Sequence, residues 1–201
     1  MKQNLSLTYR FLRAIGLNYS EDEYGQVSLW KVIKRTHKTY RDAFLLKFFM
    51  NSWIFSPINP RKLRPIILRR IGCKIGKNVF IGSNVWIDSG HADMIVIDDH
   101  VHIAGECTLL CHQRDLSNYC IGDDYAKLGY KIEKIHLEKG CLIGQRTMIM
   151  PGVTVGEGAI VGAYSLVTKD IPAWTIAVGR PAKVVKYIPE RKSTNNENTD
   201  V

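Results

Sequence analysis

Residues 137–171 read LEKGCLIGQRTMIMPGVTVGEGAIVGAYSLVTKDI, and within them Leu137, Ile143, Ile149, Val155, Val161 and Val167 return every six positions. Four places after each stands a small or β-branched residue: Cys141, Thr147, Val153, Ala159, Ser165 and Ile171. Gly144, Gly156 and Gly162 directly follow leading aliphatics. A helix repeats at about 3.6 residues and a half-buried strand at two, so a sustained period of six calls for short strands separated by tight corners and stacked into a solenoid. Each turn then buries one layer of aliphatic side chains, and neighbouring turns supply one another's hydrogen bonds.

The same count runs upstream through Ile97, Ile103 and Leu109, with Val101 and Cys107 between them, and before that through Ile75, Ile81 and Ile87, with Val79 and Val85. It breaks twice, and breaks are where repeat proteins build sites. At residues 88–95, which contain Gly90 and His91, the count slips by four. The longer break, about 113–134, holds Tyr119, Asp123, Asp124, Tyr125 and Tyr130 and predicts a loop leaving the prism. Beyond Val167 the period stops, and Pro172, Gly179 and Pro181 predict an extended, turning tail. The expected organisation is a basic helical segment at 1–70, the repeat at 71–172 and a tail over the last turns at 173–192. The polar residues 193–201 read as disordered.

The chain has 201 residues and a net charge of +9, carried unevenly. Residues 1–70 hold 14 Lys and Arg against 4 Asp and Glu, whereas the remainder holds 14 against 15. Residues 28–55 read as helical, with Leu29, Val32, Ile33, Tyr40, Phe44, Leu45, Phe48 and Phe49 spaced by three and four among lysines and arginines. Such a helix caps the open end of a solenoid or lies in an anionic membrane interface, and residues 29–55 are the candidate for that peripheral contact. Pro57, Pro60 and Pro65 are expected to stop regular structure after it. No stretch reaches the roughly 18–20 apolar residues of a spanning helix. Arg10 and Arg13 interrupt what would have to be the apolar part of a leader. The five cysteines, odd in number and without CxxC spacing, read as reduced thiols, and the protein as cytoplasmic, free or peripheral at the inner face of the membrane. No groove-reading motif accompanies the basic residues, so no nucleic-acid partner is expected.

The hexads resemble those of the hexapeptide-repeat acyltransferases, and three stretches resemble their sugar and polysaccharide O-acetyltransferase branch, of the maltose and galactoside acetyltransferase type. These are Met150-Pro151-Gly152-Val153-Thr154-Val155-Gly156, Val161 to Pro172, and Gly179-Arg180-Pro181-Ala182-Lys183. The resemblance covers about residues 71–188. It implies an all-β fold, a left-handed parallel β-helix, here with an N-terminal helical segment and an extended C-terminal tail. It further implies a homotrimer with sites between neighbouring prisms, acetyl-CoA as co-substrate without a metal, and a saccharide acceptor enclosed by the long loop.

Moving an acetyl group from a thioester to a sugar hydroxyl needs a base near neutral pKa, and imidazole suits that role. His112, directly before the long break, matches the family's catalytic histidine, and Asp115 completes a His-x-x-Asp pattern found there. Asp115 orients the imidazole, hydrogen-bonds the acceptor or caps a turn. By position, the resemblance assigns Gln145, Ala163, Thr168, Lys169, Lys183 and Lys186 to coenzyme A, with Arg180 as a neighbour, and Asn84 and Asp88 to the acceptor. Leu142 stands where many relatives carry an aromatic residue. Lys183 and Lys186 stand where arginines often serve, which keeps charge and loses bidentate geometry. Other activities on this fold are amino-sugar N-acetyl transfer and serine acetyl transfer, although 70 residues are short for the helical domain of the latter. A zinc lyase of the γ-carbonic anhydrase type needs three converging imidazoles, and among His91, His100, His102, His112 and His136 no pair within a repeat block has the 18-residue spacing of adjacent turns. A noncatalytic scaffold is the remaining alternative.

Overall fold

The computed structural model describes residues 5–17, 24–55, 58 and 61–191; Pro57, Pro60 and residues 193–201 lie outside it. The chain forms two compact units that divide between Lys47 and Phe48. In the first, helix α1 (Leu7–Ala14) is capped by Ser6, whose hydroxyl accepts from the N–H of Tyr9 and donates to the carbonyl of Val27. Helix α2 (Leu29–Phe44) is capped by Ser28 and runs on into a π-helical turn, Leu45–Met50.

In the second unit a 3₁₀ turn, Trp53–Phe55, precedes helix α3 (Leu63–Ile71). Pro65, expected to stop regular structure, is the third residue of this helix. It is tolerated there because an N–H in the first turn has no intrahelical partner. The helix lies against the first turn of the repeat and buries Ile67, Leu68 and Ile71. Arg64 donates to the carbonyl of Ile81, and Arg69 to those of Ile75 and Gly76. Those side chains cover the end of the stack where no earlier turn can pair.

Twelve strands of the repeat follow in three parallel sheets. The first sheet orders β1 (Lys74–Ile75), β4 (Ile95–Ile97), β9 (Ile135–Leu137) and β12 (Thr154–Val155). The second orders β2 (Phe80–Ile81), β5 (His102–Ile103), β10 (Leu142–Ile143) and β13 (Ile160–Val161), and the third β3 (Trp86–Ile87), β6 (Thr108–Leu109), β11 (Met148–Ile149) and β14 (Leu166–Val167). The chain visits first, second and third sheet in that order, again and again. Register gives the turn length directly. His136 pairs with Thr154 and Leu142 with Ile160, a step of 18, or three hexads. Lys74 pairs with Val96, a step of 22, so the first break adds four residues. Val96 pairs with His136, a step of 40, so the second adds 22.

Inside the turns the six-residue pattern is a packing pattern. Ile81, Ile87, Ile97, Ile103, Leu109, Leu137, Ile143, Ile149, Val155, Val161 and Val167 are buried, and so are all ten small or β-branched partners from Val79 to Ile171. Ile75, in the turn beneath α3, is half-buried. Each fully buried aliphatic contributes on the order of 1.5–3 kcal/mol. The residue three places after nine of the twelve leading aliphatics turns the corner at positive φ, as at Asn78, Asn84, His100, Glu106, Gly140, Arg146, Gly152, Gly158 and Tyr164. For a side-chain-bearing residue that conformation costs roughly 1–2 kcal/mol. It is held because the corner N–H reaches the previous turn: Arg146 donates to Gly105, and Tyr164 to Gln145, at 3.1 and 2.8 Å.

Past Val167 the stack continues for one shortened turn. Ile171 bridges to Val155, and β15 (Thr175–Gly179) adds to the second sheet beside β13, Ile160 pairing with Ile176 at a step of 16. β16 (Ala182–Tyr187) then returns antiparallel along β15. The stretch expected as an extended tail is therefore a hairpin closing the second sheet, since a lone extended segment would leave its N–H and C=O groups unpaired.

Candidate active site

Both breaks occur at one corner, where the third sheet hands the chain to the first. After β3 the corner residue Asp88 leads into a short 3₁₀ segment, Ser89–Met94. After β6 the chain passes Leu110 and Cys111 and enters β7 (His112–Arg114), which pairs antiparallel with β8 (Tyr130–Ile132). These two strands are the base of the long loop, which carries a 3₁₀ turn at Tyr125–Lys127.

Register brings the two breaks together. Ile87 pairs with Leu109, so Asp88 sits beside the residues leading to His112. Asp88 is buried, and its Oδ2 lies 2.5 Å from Nδ1 of His112. The same oxygen accepts the N–H of Cys111 at 3.3 Å and faces Nδ1 of His91 at 3.3 Å. With the carboxylate ionised, Nδ1 of His112 is the protonated nitrogen, which leaves Nε2 as the lone-pair nitrogen. The His112 ring stands edge to face with Tyr130 at 5.5 Å and 5.1 Å from the ring of His91. Arg114 lies over Tyr130 at 4.2 Å and over Tyr125 at 5.4 Å, tying the loop to its base. The His112 side chain keeps about a third of its surface, 34%, open to solvent.

Other expected residues fall as follows. Asp115 does not reach His112: its carboxylate accepts from the N–H and hydroxyl of Ser117, and these bonds hold it below the usual carboxylate range. It caps a turn, one of its three expected roles. Asn84 lies one corner away from Asp88, between the second and third sheets, where its N–H donates to the side chain of Asn51 at 2.9 Å. Gln145 and Ala163 stack in successive turns at that same corner, Gln145 donating to Glu106 at 3.3 Å. Thr168 and Lys169 are exposed on the His112 corner, two turns further along. At one strand spacing per turn this is about 10 Å from His112. Arg180, Lys183 and Lys186 are exposed on the final hairpin, Lys183 opposite Val178 and Lys186 opposite Ile176. Within one chain the coenzyme candidates thus fall into two groups separated by the third sheet.

The partnership of Asp88 with His112 was not anticipated from sequence, nor was the approach of His91. Among the described residues, Asp88, His91 and His112 are the group whose donor atoms, all within 4.8 Å, could hold a metal ion. Two of the other histidines are occupied elsewhere: His102 stacks on Phe80 at 4.2 Å and His136 bonds Asp98 at 3.0 Å. Cys111 is no nucleophile, because burial, and then the neighbouring Asp88, push its thiol up to about 12.

Known proteins share this chain's pattern. The bacterial transferase hexapeptide model (six repeats) matches residues 134–169, and the hexapeptide repeat of succinyl-transferase matches residues 72–91. The putative colanic acid biosynthesis acetyltransferase WcaF of Escherichia coli strain K12 is 33% identical over 143 residues, 66% of this chain and 79% of that protein. The chain belongs to the hexapeptide-repeat acyltransferases. This hexapeptide-repeat chain is also 39% identical over 116 residues to a putative acetyltransferase of Staphylococcus aureus strain Mu50, covering 57% of its own length and 55% of the relative's. It therefore spans little more than half of that relative. Among solved structures, a hexapeptide-repeat acetyltransferase of Vibrio cholerae complexed with acetyl coenzyme A shares the fold, with a TM-score of 0.62 at 21% identity over 86% of this chain and all (100%) of the other.

Proposed function

We propose that this protein is an acetyl-CoA-dependent O-acetyltransferase acting on a hydroxyl of a saccharide or polysaccharide precursor, with His112 as general base. The observation that carries the proposal is the buried Asp88 carboxylate set 2.5 Å from Nδ1 of His112, at the corner from which the long loop leaves. Asp88 fixes the tautomer and ring orientation, so Nε2 meets the acceptor hydroxyl and takes its proton as the oxygen attacks the thioester carbonyl. The C–O bond forms, the C–S bond breaks, and His112 returns the proton to the departing thiolate. As the imidazole becomes cationic, the adjacent carboxylate stabilises it. With the Cys111 thiol pushed up to about 12, direct transfer is favoured over an acyl-enzyme.

The named role of the WcaF relative in colanic acid biosynthesis supports a saccharide acceptor. The split between the two coenzyme groups supports assembly as a left-handed, trimeric β-helix, in which Thr168 and Lys169 of one copy face Gln145, Ala163 and the final hairpin of the next. Lys183, Lys186 and Arg180 then meet the nucleotide phosphates as point charges or forks. Asn84 and Asp115 serve the acceptor side through the corner and loop they shape.

Calorimetric titration with acetyl-CoA, followed by thiol release in the presence of a panel of saccharides, tests the reading. Saturable binding, with turnover abolished in His112→Ala and binding retained, supports it. Absence of binding by a properly assembled protein would overturn it.

A further inference from the structure

The first unit carries a surface unrelated to the His112 corner. On α2, Leu29, Trp30, Ile33 and Tyr40 fall on one side at helical spacing and are 47–74% exposed. The helix is strongly amphipathic yet low in average hydrophobicity, and its other side presents Lys31, Lys34 and Lys38. On α1 the same arrangement recurs: Leu7, Phe11 and Ile15, one turn apart, are 57–81% exposed. Residues 24–47 contain six Lys and Arg and a single acid, Asp42, which is buried and already paired with Arg41 at 2.6 Å. An apolar helix face ordinarily finds a cover.

From these faces we infer that the first unit docks on an anionic phospholipid surface, α1 and α2 lying in the interface plane. Aromatic and aliphatic side chains enter the headgroup boundary, while the lysines of the polar side stay in the aqueous layer within a Debye length of the lipid charge. A second copy of the chain is the less suitable cover, because it brings the same excess of positive charge. Among the described residues no helix is long and apolar enough to cross a membrane, so the contact is one of lying on rather than spanning. The inference rests on the first unit alone.

The experiment is sedimentation of the full chain with vesicles of phosphatidylglycerol and phosphatidylcholine in equal parts, beside vesicles of phosphatidylcholine alone, at low and high salt. The expected result is binding to the anionic vesicles that weakens with salt. Each lysine near the surface is worth about fivefold, so Lys34→Gln with Lys38→Gln should weaken binding about 30-fold. Trp30→Ala with Ile33→Ala should weaken it while leaving the thermal unfolding curve in place, which separates loss of the face from loss of the fold. No binding at low salt, or equal binding to both vesicle types by wild type and lysine variant, overturns the inference. Self-association abolished by the Trp30 and Ile33 changes also overturns it, by assigning the face to a second copy. No acyl donor enters the assay, so its outcome is independent of the transferase reading.

Discussion

Asp88 and His112, 24 positions apart in the chain, meet at 2.5 Å because a turn lengthened by four residues places Ile87 directly against Leu109. A buried carboxylate set on a partly exposed imidazole makes a directed base. His112→Ala should lower kcat by about 10²–10⁴-fold with acetyl-CoA affinity little changed. Asp88→Asn should lower kcat by about 10²-fold. Asp115→Asn, by contrast, should leave kcat within about threefold, because Asp115 holds Ser117 and not the imidazole. Steady-state kinetics on the three variants checks all of this.

Zinc should inhibit. Two imidazole nitrogens and a carboxylate within 4.8 Å of one another compete for a cation with the proton the mechanism needs. Inhibition that is reversed by a chelator and weakened at least about tenfold in His91→Ala is the expected outcome, read from inhibition curves.

Four of the five thiols are buried, and burial pushes those of Cys73, Cys111 and Cys141 up to about 12. A thiol reagent at mildly alkaline pH should therefore label Cys120 alone in the native protein and all five cysteines after denaturation. Mass spectrometry of the labelled protein gives the count.

Gly144 has no room for a methyl group: a Cβ there would overlap the backbone nitrogen of Ala163 in the next turn. Backbone cannot step aside as a side chain end can, so Gly144→Ala should cost at least about 2 kcal/mol. That corresponds to a fall in Tm of about 4–8 °C, measured by calorimetry.

His102 has its pKa lowered, first by burial and then by the nearby Arg61. The unfolded chain binds this proton more readily than the folded one, so stability falls as pH drops through the unfolded value of about 6.5. His102→Phe, which keeps a ring to stack on Phe80, should flatten the fall in Tm between about pH 7 and 5.

The stacked turns were legible in the sequence because the hexad is a property of each turn by itself: Ile143 and Thr147 declare a buried layer without reference to any neighbour. The site was less legible because it depends on register between turns. The slip at residues 88–95 reads readily as a break, but pairing Asp88 with His112 requires carrying that slip forward into a 22-residue step. Asp115, three places from His112, looked like the better partner. Alternation along an extended chain sends residues an odd number apart to opposite faces, which is why the nearer carboxylate in sequence is the wrong one in space. The final hairpin was hidden for a similar reason: nothing in residues 173–192 shows that Val178 will face Lys183.

Both lengthened turns depart and rejoin at the same corner, and neither disturbs the pairing of any strand before or after it. That corner is a port at which the chain tolerates new sequence. Doubling a loop's length costs only about 0.6 kcal/mol of closure entropy. Grafting a relative's segment between His112 and Ile135 should therefore exchange acceptor preference while the stack beneath keeps its register. Diversification of the long loop and preservation of the stack beneath it are, in this architecture, separately adjustable.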